Sequence, residues 1–245
     1  MTLRTVEATR YVTPLREGGS LPALLEASDD GLYVVKFRGA GQGPKALVAE
    51  IVAGELARAL GFAIPELVLV ELDPTLGRAE PDAEIQDLLF ASAGLNLGVD
   101  FLPGALPFNP AASPVVDPDL AADIVWLDAL VTNVDRTAKN TNLLWWHGRL
   151  WLIDHGAALY FHHLPDPDPA HARRPFAELG DHVLLPFAGP LEDADARLAP
   201  RVTRELLEQV AAKVPVDWLA GQNPSLYVDY LTRRLEEPRE LFRGR

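Results

Sequence analysis

The chain has 245 residues, 48% hydrophobic and 23% charged, a globular composition long enough for one large core or two joined lobes. It contains no cysteine, which excludes disulfides, thiolate metal ligands and cysteine nucleophiles. The 22 Lys+Arg against 35 Asp+Glu leave a formal charge of -13, a field that repels nucleic acid and anionic membrane. Arg173-Arg174 and Arg233-Arg234 are isolated basic pairs and do not offset it. No apolar run approaches the roughly 18 residues that cross a bilayer, and MTLRTVEATR lacks a signal-peptide core. A cytoplasmic location is the expectation.

In chain order, residues 9–38 read as strands broken by turns at Gly18-Gly19-Ser20 and at Asp29-Asp30-Gly31, the second a hairpin signal between apolar runs. A helix follows over Lys45–Leu60, with Gly61 as its C-cap. Pro65 then opens the apolar strand LVLVEL. Residues 73–116 are rich in Pro, Gly and Asp and read as the lobe connection, with LLFASAGL and NLGVDFL as short ordered pieces. Asp117 caps a helix that starts at Pro118 and continues through LAADIVWLDALV. LLWW and LWLI form two short strands around His147-Gly148, and helices close the chain near Thr203–Val214 and Pro224–Leu235, the latter capped by Asn223.

Chemistry concentrates at Asn133-Val134-Asp135-Arg136-Thr137-Ala138-Lys139-Asn140, between a helix and a strand. Asp135 and Asn140 have the D-x-x-x-x-N spacing of kinase catalytic loops, where the Asp handles a hydroxyl proton and the Asn reaches a phosphate-bound Mg²⁺. Alone that pair is a weak signal. Asp154-His155-Gly156 follows the strand LWLI, and a carboxylate there wants a cation, with Gly156 permitting the turn. By itself Asp154 reads more readily as a strand-end residue capping a turn. Lys36 stands inside the apolar strand YVVKF and needs a partner or a path to solvent. Glu55 has Arg58 three residues on, whereas Glu50 lies on a small apolar helix face, so Glu50 is the expected partner of Lys36. Gly18, Gly19 and Ser20 stand where a phosphate-covering turn would precede the Lys strand, although two glycines can be a turn and nothing more. The six features follow one another in mutually complementary roles, which argues against coincidence. His162-His163 reads as a solvated loop, and Trp126, Trp145, Trp146 and Trp151 as core around the hairpin.

These residues resemble the HipA-like kinase family, serine/threonine kinases of bacterial toxin–antitoxin systems. The resemblance rests on NVDRTAKNTNLLWW, LWLIDHGAAL, YVVKF and AEIVAGELARALGFAIPEL, and runs from about Arg10 to about Tyr160. It implies an α+β, protein-kinase-like two-lobed fold: a small β-rich N-lobe with one helix (residues 1–100) and a mainly helical C-lobe (residues 101–245). It implies Asp135 as catalytic, Asn140 and Asp154 as Mg²⁺ ligands, Lys36 on the ATP phosphates and Glu50 as its brace. In relatives a serine of the phosphate-loop region is autophosphorylated, which draws attention to Ser20. Implied partners are ATP, a protein substrate and a regulatory antitoxin-like protein. The chain is shorter than the longest members, and Arg136-Thr137 stands where those have Gly-His, a substitution that removes a nucleotide contact. A small-molecule or lipid kinase and a nucleotide-binding pseudokinase scaffold are the rival readings.

Overall fold

The computed structural model describes residues 2–15, 21–41, 43–112 and 116–236. The Gly18-Gly19-Ser20 turn lies outside them. The chain divides into two compact units: Met1–Val48 with Pro65–Gly104, and Ala49–Ile64 with Ala105–Arg245.

The first unit contains β1 (Thr5–Pro14), β2 (Ala23–Ala27), β3 (Leu32–Lys36), the start of α1 (Gly43–Ala59), β4 (Leu67–Leu72), α2 (Ala83–Ala91) and β5 (Gly94–Asp100). Its five strands close into a barrel in the order β1-β2-β3-β5-β4, where only β1 and β4 pair in parallel. Period-two alternation explains the inner face: Ala23, Leu25 and Ala27 of β2, with Tyr33 and Val35 of β3, point into the core. Closure leaves little room at the crossing of β3, β4 and β5. Gly98 lies opposite Val35 and Val68, and a Cβ there would sit 2.7 Å from the Val70 side chain.

Residues 73–116 are not simply a connection. Residues 74–100 complete the first unit, with α2 sending Ile85 and Leu89 into the barrel core and β5 pairing with both β3 and β4. The Asp residues that look like linker are caps: Asp73 accepts from the Thr75 N–H at 2.7 Å and Asp82 from the Glu84 N–H at 3.0 Å.

The second unit holds the rest of α1, then β6 (Leu106–Pro107), α3 (Pro118–Val131), β7 (Leu143–Trp146), β8 (Arg149–Leu152), α4 (Leu191–Leu198), α5 (Arg204–Ala211) and α6 (Ser225–Glu236). Asp117 caps α3 as expected, accepting from the N–H groups of Asp119 and Leu120. Ten residues of α3 are buried, so this helix is the axis of the unit. Trp126 is fully buried on it and donates to Asp195 at 2.7 Å, so it packs toward α4 and not around the hairpin. The β7–β8 turn has positive φ at His147 and Gly148, the twist-matched geometry of a tight hairpin. Thr203 and Asn223 cap α5 and α6. Between His155 and Arg201 the chain runs mainly through 3₁₀ turns and α4, which no apolar period announces. His162 there is fully buried beside Tyr227, at 3.3 Å from the phenol oxygen, and is not part of a solvated loop.

Candidate active site

The D-x-x-x-x-N loop forms between α3 and β7, entirely within the second unit. Thr132 ends α3 in the left-handed conformation (φ 52°) and turns the chain out of the helix. The Thr137 N–H donates to the carbonyls of Asp135 (3.0 Å) and Asn140 (2.9 Å), which folds the segment back on itself. The spacing therefore brings the two expected residues into contact: Asn140 Nδ2 donates to Asp135 Oδ2 at 2.7 Å. Asn142 approaches the same oxygen at 3.4 Å. The sequence reading missed Asn142, although its place two residues beyond Asn140 is a usable signal. Burial pushes the Asp135 carboxyl above its ordinary range. The two Asn hydrogen bonds and the Arg136 charge oppose that rise, and the Asp154 charge adds to it.

Beneath the loop lies a buried polar network that the sequence does not announce. Asp128 of α3 is fully buried and accepts from Arg136 Nε (2.5 Å), Asn133 Nδ2 (2.9 Å) and His182 Nε2 (2.9 Å). The Leu184 N–H donates to His182 Nδ1, so Nε2 carries the proton given to Asp128. Burial disfavours the Asp128 carboxylate, but the Arg136 charge and the His182 hydrogen bond outweigh it and hold Asp128 well below the ordinary carboxylate range. Asn133 continues the chain of contacts, accepting from the Asp135 N–H at 3.3 Å. Arg136 also donates to the carbonyls of Asn142 and Ile153. Arg136 thus ties α3, the loop and the end of β8 together. Its guanidinium is 0% exposed, a placement for a structural ion pair and not for contact with a solvent-borne nucleotide.

Asp154 follows β8 and is itself the left-handed residue there (φ 54°), so the turn expected at Gly156 occurs two residues earlier. A non-glycine residue in that region is costly, and such residues gather at functional sites. Ile153 donates its N–H to the Asn142 carbonyl (3.1 Å), joining this turn to the D-x-x-x-x-N loop. Two residues on, the His155 N–H donates to Glu50 Oε2 at 2.9 Å. Glu50, 1% exposed on α1, therefore braces the turn that presents Asp154. Glu55 pairs with Arg58 at 3.1 Å, as its spacing predicts, and also with Lys213. Lys36 ends β3 in the first unit, half-buried and in register with Leu97. Asn140 and Asp154 offer hard oxygen donors; with its amide nitrogen engaged on Asp135, Asn140 has its carbonyl oxygen left for a cation. Among the described residues no three His, Asp or Glu side chains form a metal cage by themselves.

Residues 9–238 match the HipA-like kinase family. The chain belongs to that family. This HipA-like enzyme is therefore a kinase, and its fold agrees. It is similar to the crystal structure of CtkA, a Helicobacter pylori proinflammatory kinase, with 15% identity and a TM-score of 0.56 over 98% of this chain and 94% of that one. A Golgi casein kinase structure is similar at 15% identity and a TM-score of 0.51, over 99% and 72%. At such identity the likeness shows a kinase-like fold. No curated protein matches the HipA-like chain in sequence. No helix among its described residues is long and apolar enough to cross a membrane.

Proposed function

We propose that this HipA-like kinase transfers the γ-phosphoryl group of Mg-ATP to a serine or threonine hydroxyl of a protein. The contact between Asn140 Nδ2 and Asp135 Oδ2 carries the reading, because it places a half-buried carboxylate beside a carboxamide donor on one rigid loop. In the proposed step the acceptor oxygen bonds to the γ-phosphorus as the bond to the bridging β,γ-oxygen breaks. ADP leaves, and the hydroxyl proton passes to Asp135. The raised proton affinity of Asp135 suits a group that must accept that proton. Bound Mg²⁺ supplies charge neutralisation on the phosphates. Asn140 and Asp154 are the residues that would hold it, through their side-chain oxygens. The Asp154 charge adds to the proton affinity of Asp135, a repulsion that a divalent cation relieves.

Lys36 is assigned to the ATP phosphates, with Glu50 of α1 as its partner, on the sequence pattern alone; Glu50 itself is buried and accepts from the His155 N–H. Gly18, Gly19 and Ser20 are assigned to the phosphate-covering turn on sequence order alone. The test is to incubate purified protein with Mg²⁺ and labelled ATP, alone and with lysate protein, followed by intact mass and phosphosite mapping. Phosphoserine or phosphothreonine on itself or on another protein is the expected product. Nucleotide binding without transfer to any protein would defeat the proposal.

A further inference from the structure

Two arginines of the described residues are fully buried, and they are satisfied differently. Arg136 has Asp128 as its counter-ion. Arg234 of α6, 1% exposed, has no carboxylate partner among the described residues and donates to carbonyls: those of Ala172 (3.0 Å) and Arg174 (3.1 Å) through Nη1, and that of Ala129 (2.7 Å) through Nη2. Its Nε finds no hydrogen-bond partner among the described residues. Tyr230, its ring 6.0 Å away, supports the guanidinium through its side chain but brings no formal charge. A buried cation without a counter-ion is expensive, and burial does lower the proton affinity of this guanidinium.

Arg234 lines a cavity of about 160 Å³ that lies wholly in the second unit. An apolar cavity of about 150 Å³ takes a molecule the size of benzene, so this one suits a single side chain and is too small for a nucleotide. Val134, the residue immediately before Asp135, forms part of its wall, with Phe161, Leu164 and Phe176. His171 and the exposed Arg174 add two further nitrogen groups to the lining. The Asp168 N–H donates to His171 Nδ1, which leaves Nε2 as the donor of that ring. The lining also includes one carboxylate, that of the exposed Glu178. In a chain of net charge -13, this is a local site where an anion is favoured against the overall field.

The geometry points to an acceptor subsite: an acidic side chain of the peptide acceptor, flanking the phosphorylated hydroxyl, enters this cavity with its stem against the apolar walls and its carboxylate on Arg234. The inference rests on the protein-acceptor reading above and names the sequence that acceptor must carry. A hydrogen bond to a charged partner is worth about 1.5–3 kcal/mol, which corresponds to roughly 10- to 150-fold in affinity.

The test separates binding from transfer. Asp135→Asn protein is titrated with serine peptides randomised except at one flanking position fixed as glutamate, and with twins carrying glutamine there. Glutamate at one position should bind about 10-fold or more tightly than glutamine. Arg174→Glu and His171→Ala should each erode that preference severalfold, and Glu178→Gln should strengthen it. Arg234→Gln should abolish it; if that variant does not fold, the three rim variants decide. Equal binding of glutamate and glutamine peptides, or no binding of either, overturns the subsite. An acidic preference in binding with no transfer by the parent protein upholds a cavity that takes an acidic peptide side chain but overturns its role as an acceptor subsite, together with the protein-acceptor reading.

Discussion

Asp128→Ala is the sharpest perturbation of the ground beneath the loop. The substitution removes one carboxylate and strands donors on three buried side chains: Arg136, Asn133 and His182. Breaking a buried ion pair by deleting one partner costs about 3–5 kcal/mol, because the remaining charge is left uncompensated. That is a large share of the roughly 5–15 kcal/mol that holds a folded protein together. For a chain of this size each kcal/mol moves the melting temperature by about 2–4 °C, so a fall of roughly 6–20 °C is expected. Thermal melting and urea titration measure it. The fully folded fraction should also transfer phosphate more slowly, since Arg136 and Asn133 connect Asp128 to Asp135 and a displacement of about 1 Å can cost 10²-fold. Replacing the pair together, with Asp128→Leu and Arg136→Met, should recover part of the lost stability, because no unpaired charge remains even though the Asn133 and His182 donors stay unsatisfied. The pH dependence has a definite sign. The folded Asp128 lies below its ordinary value, so its contribution is complete above the unfolded carboxylate pKa of about 3.9 and is lost only as pH falls further, toward the folded value. A melting temperature within 2 °C of the parent for Asp128→Ala would refute the network as a stabilising element.

Gly98→Ala places a methyl group 2.7 Å from Val70 and 2.8 Å from Val68, and should destabilise by about 1–3 kcal/mol in chemical denaturation. An unchanged denaturation midpoint would contradict the closed barrel. Glu50→Ala removes the acceptor of the buried His155 N–H and should cost about 1–3 kcal/mol. In a double-mutant cycle with Lys36→Met read out on ATP affinity, the proposed pairing predicts strong non-additivity. Effects that simply sum would show that the two residues act separately. Mg-ATP should raise the melting temperature of the parent by linkage, and Asp154→Ala should remove the Mg²⁺-dependent part of that rise. An undiminished response in the variant would dismiss Asp154 as a ligand.

Several elements were legible in the sequence because their cause is local. Asp117-Pro118 starts α3, the alternation in LPALLEAS and LYVVKF sets the inward face of β2 and β3, and His147-Gly148 turns the hairpin. The kinase family was also legible, since its motifs are short and ordered along the chain. What escaped depends on contacts distant in sequence. Asp128 sits in an apolar helix and looks like a stray charge until Arg136 and His182, the latter 54 residues on, converge on it. Arg136 looked like a bare departure from the family's loop, because its buried partner could not be seen from the loop alone. β5 was mistaken for part of a connection, since its pairing with both β3 and β4 is set by barrel closure. The 3₁₀ turns after His155 have no period to betray them, and the Arg234 cavity exists only once those turns pack against α6.

The central claim is that Asp135 acts on the acceptor hydroxyl. Asp135→Asn keeps the shape of the side chain while removing the charge, so phosphoryl transfer is the measurement that isolates its role. With labelled Mg-ATP and the mapped acceptor, transfer should fall by about 10²–10⁴-fold. ATP affinity and melting temperature, measured on the same preparation, should stay close to the parent. Transfer at the parental rate in a folded Asp135→Asn protein would contradict the account.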